Sequence, residues 1–250
     1  MKMFNDSKNC VEIKNLSKTF IRPNGEKVNI CENLNLYIEK GKISSIIGSS
    51  GCGKTTLLNM IAGFENYDDG EIYLAPNCKI GILFQNNVLF PWKTIMQNIL
   101  FACRNYFDDP KAVIREYLAK VGLSEVENCY PNELSGGMNQ RIALLRILLT
   151  SPDLIILDEA FGALDYQNRL EMQNLFLELH KERKFTALVV THDMLEAITL
   201  GDNIFIFYDQ PLKFNIIQNS VKSDGNYSSI INQVESIFNI SDQSKYNKEV

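Results

Sequence analysis

Gly48-Ser49-Ser50-Gly51-Cys52-Gly53-Lys54-Thr55, followed by Thr56, carries glycines, a lysine and a hydroxyl at the spacing G-x-x-x-x-G-K-[ST]. Glycines let a backbone curl until successive N–H groups point inward at phosphate oxygens. The lysine of such a run reaches the terminal phosphates, and the hydroxyl is an oxygen ligand for a divalent cation. A chance glycine-rich turn would lack the flanks found here. Residues 43–47 read as a compact strand, and 55–62 place Leu57, Leu58 and Ile61 at helical spacing. Strand, loop, helix sets a helix N-terminus, with its partial positive charge, against the same anion. The run implies a nucleoside triphosphate, but a GTPase, a kinase, a helicase and a transport ATPase would all share it.

A second acidic constellation follows. Leu154-Ile155-Ile156-Leu157 is an all-apolar strand ending in Asp158-Glu159, and open α/β sheets put their ligand crevice at such strand ends. Asp158 suits the coordination of Mg²⁺, and Glu159 is placed to polarise an attacking water. An isolated acidic pair at a strand end would read as ordinary solvent-facing surface. The phosphate loop removes most of that weight. Between the two lies Leu134-Ser135-Gly136-Gly137-Met138-Asn139-Gln140-Arg141, a Ser-Gly-Gly step opening a helix. Alone it is a helix cap; with an anion nearby, hydroxyl, N–H groups and helix end form a second anion-binding device.

In this order the three segments resemble the ATP-binding cassette ATPases, over roughly residues 10–210. The resemblance implies ATP and Mg²⁺ as ligands, with Gly48 to Thr56 holding the phosphates and Thr55, Gln85 and Asp158 around the metal. It assigns Glu159, His192 and Gln85 to catalysis and Phe20 to stacking on adenine, although an aromatic in a strand is also ordinary core. Asp165 matches the loop that crosses the family's dimer interface. The family's signature cannot reach its own phosphate loop, so a head-to-tail homodimer is implied, in which Ser135, Gly136 and Gly137 of one chain cap the ATP held by the other. Leu89-Phe90-Pro91-Trp92, Thr94-Ile95, Asn98-Ile99 and Phe161-Gly162-Ala163-Leu164-Asp165 look like the nitrate, sulfonate and taurine importer group. That likeness implies a small solute, separate integral membrane permease subunits, an extracytoplasmic solute-binding protein, and a peripheral place on the cytoplasmic face of the membrane. An exporter subunit is the alternative within transport. Soluble repair or ribosome-associated cassettes, and a non-hydrolysing subunit, are weaker rivals. The chain departs from the family at Ala160, where proline is usual, at the bulky Arg146-Ile147-Leu148-Leu149, and at Asn139 in place of a basic residue. None of these removes a catalytic group.

The elements that must position these residues are those of an α/β protein. The pattern predicts a mainly parallel core sheet of the P-loop NTPase kind, an N-terminal antiparallel β subdomain and an inserted α-helical subdomain. Short strands are expected at 10–13, 16–20, 27–31 and 34–38, and further strands at 80–84, 154–157, 187–190 and 204–208. Helices are expected from Pro91, at 111–121, 137–149 and 170–179, and within the tail around residues 230–238. One domain spans 1–250: residues 1–86 and 151–210 form the nucleotide-binding core, 87–150 the helical subdomain, and 211–250 a partly helical tail. His180, on a helix ending in charged residues, is expected to be solvated.

The chain has 250 residues, 45% of them hydrophobic and 22% charged, with a net charge of −5. That size suits one domain with up to two lobes, and the acidic balance speaks against a nucleic-acid partner. The longest apolar runs, at 99–103 and 204–208, are far short of the about twenty residues a membrane helix needs. The N-terminus lacks an apolar signal region. None of the six cysteines forms a CxxC pair, so neither a zinc site nor a disulfide framework is expected.

Overall fold

The computed structural model describes residues 2–3, 8–84, 89–162, 164–219 and 227–246. Along the chain run β1 (Lys2–Met3), β2 (Asn9–Ile21), β3 (Lys27–Glu39), β4 (Ile43–Gly48), α1 (Lys54–Ala62), β5 (Asp69–Leu74) and β6 (Ile80–Leu83). Then come α2 (Ile95–Cys103), α3 (Pro110–Lys120), α4 (Gly136–Leu148), β7 (Leu154–Asp158), α5 (Tyr166–Arg183), β8 (Thr186–Val190), α6 (Met194–Leu200), β9 (Asn203–Tyr208), β10 (Lys213–Gln218) and α7 (Ser228–Tyr246). They form two compact units, Met1–Cys78 with Thr186–Val250, and Lys79–Phe185. The α/β class, with its parallel core strands, antiparallel β subdomain and helical subdomain, is the one expected.

In the first unit, β2 and β3 pair antiparallel across a tight turn closed by Gly25 N–H to Arg22 O at 2.8 Å. Four short strands were expected; the structure has two of 13 residues each. The polar breaks at Asn15 and Asn33 do not end the strands. Both residues take positive φ, 48° and 50°, and absorb register shifts as bulges, a conformation that asparagine accepts more readily than most residues. With β5 and β1 they make a sheet in the order β1-β5-β2-β3. The other strands of this unit surround β4, whose residues 43–47 are all buried. β8 and β9 flank it in parallel, with Ile46 opposite Val190 and Gly48 opposite Phe207. β10 returns antiparallel to β9. The helix expected in the tail is α7, which lays Ile230 and Val234 on Ile47, Ile198, Ile204, Ile206 and Ile217. Burial of that kind is worth about 1.5–3 kcal/mol per large aliphatic side chain.

In the second unit β6 and β7 pair in parallel, Leu83 opposite Leu157, while α2, α3 and α4 pack together and α4 also packs on β6 and α5. The helix expected from Pro91 begins only at Ile95. Thr94 is a better start, because its hydroxyl accepts from Gln97 N–H while the Gln97 side chain accepts from Thr94 N–H, a closed capping box. His180 is a correction: it is buried, 9% exposed, with its ring edge-on to Phe185 at 5.0 Å. α5 extends past the expected end at 179 to Arg183, so His180 lies inside the helix on the face that meets Phe185, while its neighbours Lys181 and Glu182 stay exposed. No helix among the described residues is long and apolar enough to cross a membrane.

Candidate functional site

The first unit holds the phosphate loop at the C-terminal end of β4. Gly48 passes so close to β9 that a Cβ there would lie 2.4 Å from Phe207 O. Gly53, at the head of α1, has φ 113°, and a Cβ would meet Ile30 Cγ2 at 2.7 Å. Both positions exclude any side chain, and the loop keeps its curl. Ser49, Ser50, Gly51 and Thr55 are exposed and Thr56 is half-buried, while Cys52 is buried beneath them. Lys54 is only 7% exposed. Its ammonium donates to the carbonyls of Gly48 at 2.8 Å and Ser49 at 2.9 Å. Both partners are neutral, so the loop retains a buried positive charge beside a helix N-terminus, which is what a triphosphate requires. A cleft of about 390 Å³ opens between Ser49 through Cys52 and the β9–β10 turn, at Asp209, Gln210, Pro211 and Lys213.

His192 follows β8 by two residues, and Gly48 follows Ile46 by two, with Ile46 opposite Val190. Adjacent parallel strands therefore deliver both to one end of the sheet. Thr191 anchors that turn: its N–H donates to Ile46 O at 3.1 Å and its hydroxyl accepts from Asp193 N–H at 3.0 Å. His192 itself is exposed. Phe20, on β2, is 37% exposed, with the Lys18 ammonium 4.6 Å from its ring centroid.

The second unit holds the acidic pair and the signature. Asp158 closes β7, and Glu159 follows it in a left-handed conformation, φ 49°. For a residue with a Cβ this costs about 1–2 kcal/mol, and such strain collects where a side chain is aimed for chemistry. Ala160 and Phe161 are buried, and Gly162 N–H closes the turn on Glu159 O at 3.1 Å. Ser135 caps α4, its hydroxyl accepting from Met138 N–H at 3.3 Å. Ser135 and Gly136 are exposed. Asp165 caps α5 through Asn168 N–H at 3.1 Å and is also bonded to the Asn168 side chain. These two hydrogen bonds hold its carboxyl below the usual range, the backbone one most strongly. Gln85 and Ala163 lie outside the described residues.

Sequence reasoning missed Asn168, whose carboxamide oxygen sits 3.1 Å from where a Gly137 Cβ would be. The same residue thus lies against the signature glycine and bonds to Asp165. Asn98, singled out only as part of the importer-like segment, has a structural role the sequence did not reveal: fully buried, it accepts from Phe90 N–H at 2.8 Å and donates to the carbonyls of Phe90, Lys93 and Thr94. Asn98 fixes the loop that presents Trp92, 70% exposed, its ring centroid 5.6 Å from that of Phe90. The sequence shows only that Gln97 and Asn98 are polar within the otherwise apolar segment 95–103; the burial and partners of Asn98 come from the structure.

Residues 31–162 match the family model described as ABC transporter. The aliphatic sulfonates import ATP-binding protein SsuB of Bacillus cereus is 40% identical over 84% of this chain and 86% of its own length. The taurine import ATP-binding protein TauB of Pelagibacter ubique is 40% identical over 79% of this chain and 78% of its own. Among solved structures, the dimeric post-hydrolysis state of the ATP-binding cassette MJ0796 bound to ADP and Pi is similar with a TM-score of 0.69. It is 30% identical, over 84% of this chain and 98% of that one.

Proposed function

The chain belongs to the ABC transporter family, whose members bind and hydrolyse ATP, and from that premise we propose that it energises uptake of a small sulfonate- or taurine-like solute through a separate membrane permease. The observation that carries the ATPase part is the phosphate loop, with the Lys54 ammonium held on two neutral carbonyls beneath exposed loop residues. The solute class is supported by the likeness to SsuB and TauB.

Catalysis here is positioning and electrostatics. Lys54 and the N–H groups of the loop neutralise the β- and γ-phosphates, and Phe20 stacks on the base. Glu159, aimed by its strained turn, orients the attacking water, and His192 stands at the γ-phosphate side. The family resemblance assigns Thr55, Asp158 and Gln85 to Mg²⁺; their oxygens suit a hard cation, and the ion, if held by them, would neutralise charge on the terminal phosphates. A second copy, head to tail, supplies Ser135, Gly136 and Gly137 to close the γ-phosphate, with Asp165 at the dimer interface. The exposure of Ser135 and Gly136 supports this. The permease contact falls on the Phe90, Trp92 and Phe101 surface, where a short helix would seat its apolar face. The protein then sits peripherally at the cytoplasmic face of the membrane, and the solute-binding protein acts on it only through the permease.

Deleting the gene in its own host tests the solute assignment. Growth on alkanesulfonates or taurine as sole sulfur source should fail while growth on sulfate persists. Undiminished growth and uptake on both sulfonates would contradict it.

A further inference from the structure

Lys18 and Lys54 are each 7% exposed. Lys54 serves the phosphate loop, whereas Lys18, on β2, belongs to none of the motifs above. Burying an ammonium costs several kcal/mol unless it is paired and hydrogen-bonded, and an apolar side chain would fill the space without that cost. The structure compensates Lys18 closely. Its ammonium donates to Glu65 Oε1 at 2.7 Å and to Asn66 O at 2.6 Å, and lies 4.0 Å from Asp68 Oδ1. It also covers a face of Phe20 at 4.6 Å from the centroid.

The partners are informative by their place. α1 begins at Lys54 and ends at the C-cap Gly63, after which Glu65 N–H still bonds Asn59 O at 3.2 Å. Glu65 and Asn66 are thus the tail of the helix whose head carries the phosphate loop. A second clamp lies beside the first: Thr19 N–H donates to Asp68 Oδ2 at 2.6 Å, and Asp68 N–H to Ser17 O at 2.9 Å. The strand that carries Phe20 is therefore fastened to the far end of the phosphate-binding helix.

We propose that Lys18 is a positioning residue for the nucleotide base: it holds the Phe20 ring at a fixed orientation and a fixed span from the phosphate loop, so that base stacking and phosphate binding are satisfied together. This rests on the reading of Phe20 as the base platform. Lys18 contributes to affinity for the base-bearing nucleotide and nothing to affinity for the phosphate chain alone.

The test titrates the full chain, with EDTA present to prevent turnover, against ATP and against inorganic tripolyphosphate. Lys18→Met should weaken ATP about three- to tenfold, the scale of a partly desolvated cation–π contact. Tripolyphosphate should change by less than about twofold on the same scale. Phe20→Leu should show the same base-dependent loss, and the double variant should lose no more than Phe20→Leu alone. Losses that multiply in the double variant, or tripolyphosphate falling in step with ATP, would overturn the positioning role. Unchanged ATP affinity in Phe20→Leu would instead remove the platform reading itself, and the proposal with it. Should Lys18→Met not fold, Glu65→Ala removes the 2.7 Å carboxylate partner and loosens the ammonium, which keeps only Asn66 O and Asp68. It should lower ATP affinity relative to tripolyphosphate, and an unchanged ratio would overturn the proposal.

Discussion

Removing the Asn98 carboxamide should loosen one surface loop and leave nucleotide binding intact. In Asn98→Ala the Phe90 N–H loses its 2.8 Å acceptor and Lys93 O its 3.0 Å donor. Phe90 O still accepts from Lys93 N–H at 3.1 Å, and Thr94 O from Asn98 N–H at 2.8 Å, so those two carbonyls keep a partner. Two backbone groups are therefore orphaned, each at about 1–3 kcal/mol. Both belong to half-buried residues that water can reach once the loop gives way, so the lower end applies. The expected loss is about 2–3 kcal/mol, or about 4–12 °C in melting temperature for a chain of this length. Trp92 is the chain's only tryptophan and lies on this loop, which makes its emission a local probe. Acrylamide quenching of Trp92 should rise, and its steady-state anisotropy should fall. ATP affinity should stay unchanged, since the phosphate loop belongs to the other compact unit. A variant with wild-type stability and wild-type quenching would refute the role given to Asn98.

Three further outcomes follow from the geometry. Glu159→Gly should relieve the φ of 49° and gain up to about 1 kcal/mol of stability while losing turnover about a hundredfold or more; a lower melting temperature would show that the turn is not strained. Burial pushes the Cys31 thiol from 9.0 up to about 11. The fold therefore keeps a proton that the unfolded chain sheds above pH 9, so stability should fall as pH rises from about 9 to 11. Cys31→Ala should flatten that slope in melting scans, and an identical slope would contradict it. Ile230→Ala, on the buried face of α7, should cost about 2–4 kcal/mol in urea unfolding; a negligible change would mean that α7 does not hold the core it covers.

What was legible in the sequence follows local physics. The phosphate loop could be read because its glycines, lysine and hydroxyl act through neighbouring backbone, and the flanking strand and helix carry their own periodicity. The cap Ser135 announces a helix start for the same reason, whereas Asp165 was read only as an interface residue and α5 starts behind it at Tyr166, four residues before the expected 170. β10 was not expected: its burial pattern keeps most of its residues partly or fully exposed, so no apolar alternation marks it, and only pairing with β9 makes it a strand. The long β2 and β3 were broken at Asn15 and Asn33 because polar pairs look like turns until cross-strand hydrogen bonds reveal bulges. His180 was misjudged from its charged neighbours, while its environment is set by Phe185, across the end of its own helix. Lys18, and the structural role of Asn98, escaped notice because a buried polar residue is identified by its partners, and those are found only in three dimensions.

The central claim is that ATP turnover in this chain drives a membrane permease. The direct measurement is purification of the Glu159→Gln chain from its native membranes in the presence of ATP, with identification of whatever co-purifies by mass spectrometry. The account predicts an integral membrane permease that is retained with the wild-type loop and lost when Trp92 is changed to Ser. Recovery of a soluble dimer alone, or of ribosomes or DNA, would contradict it.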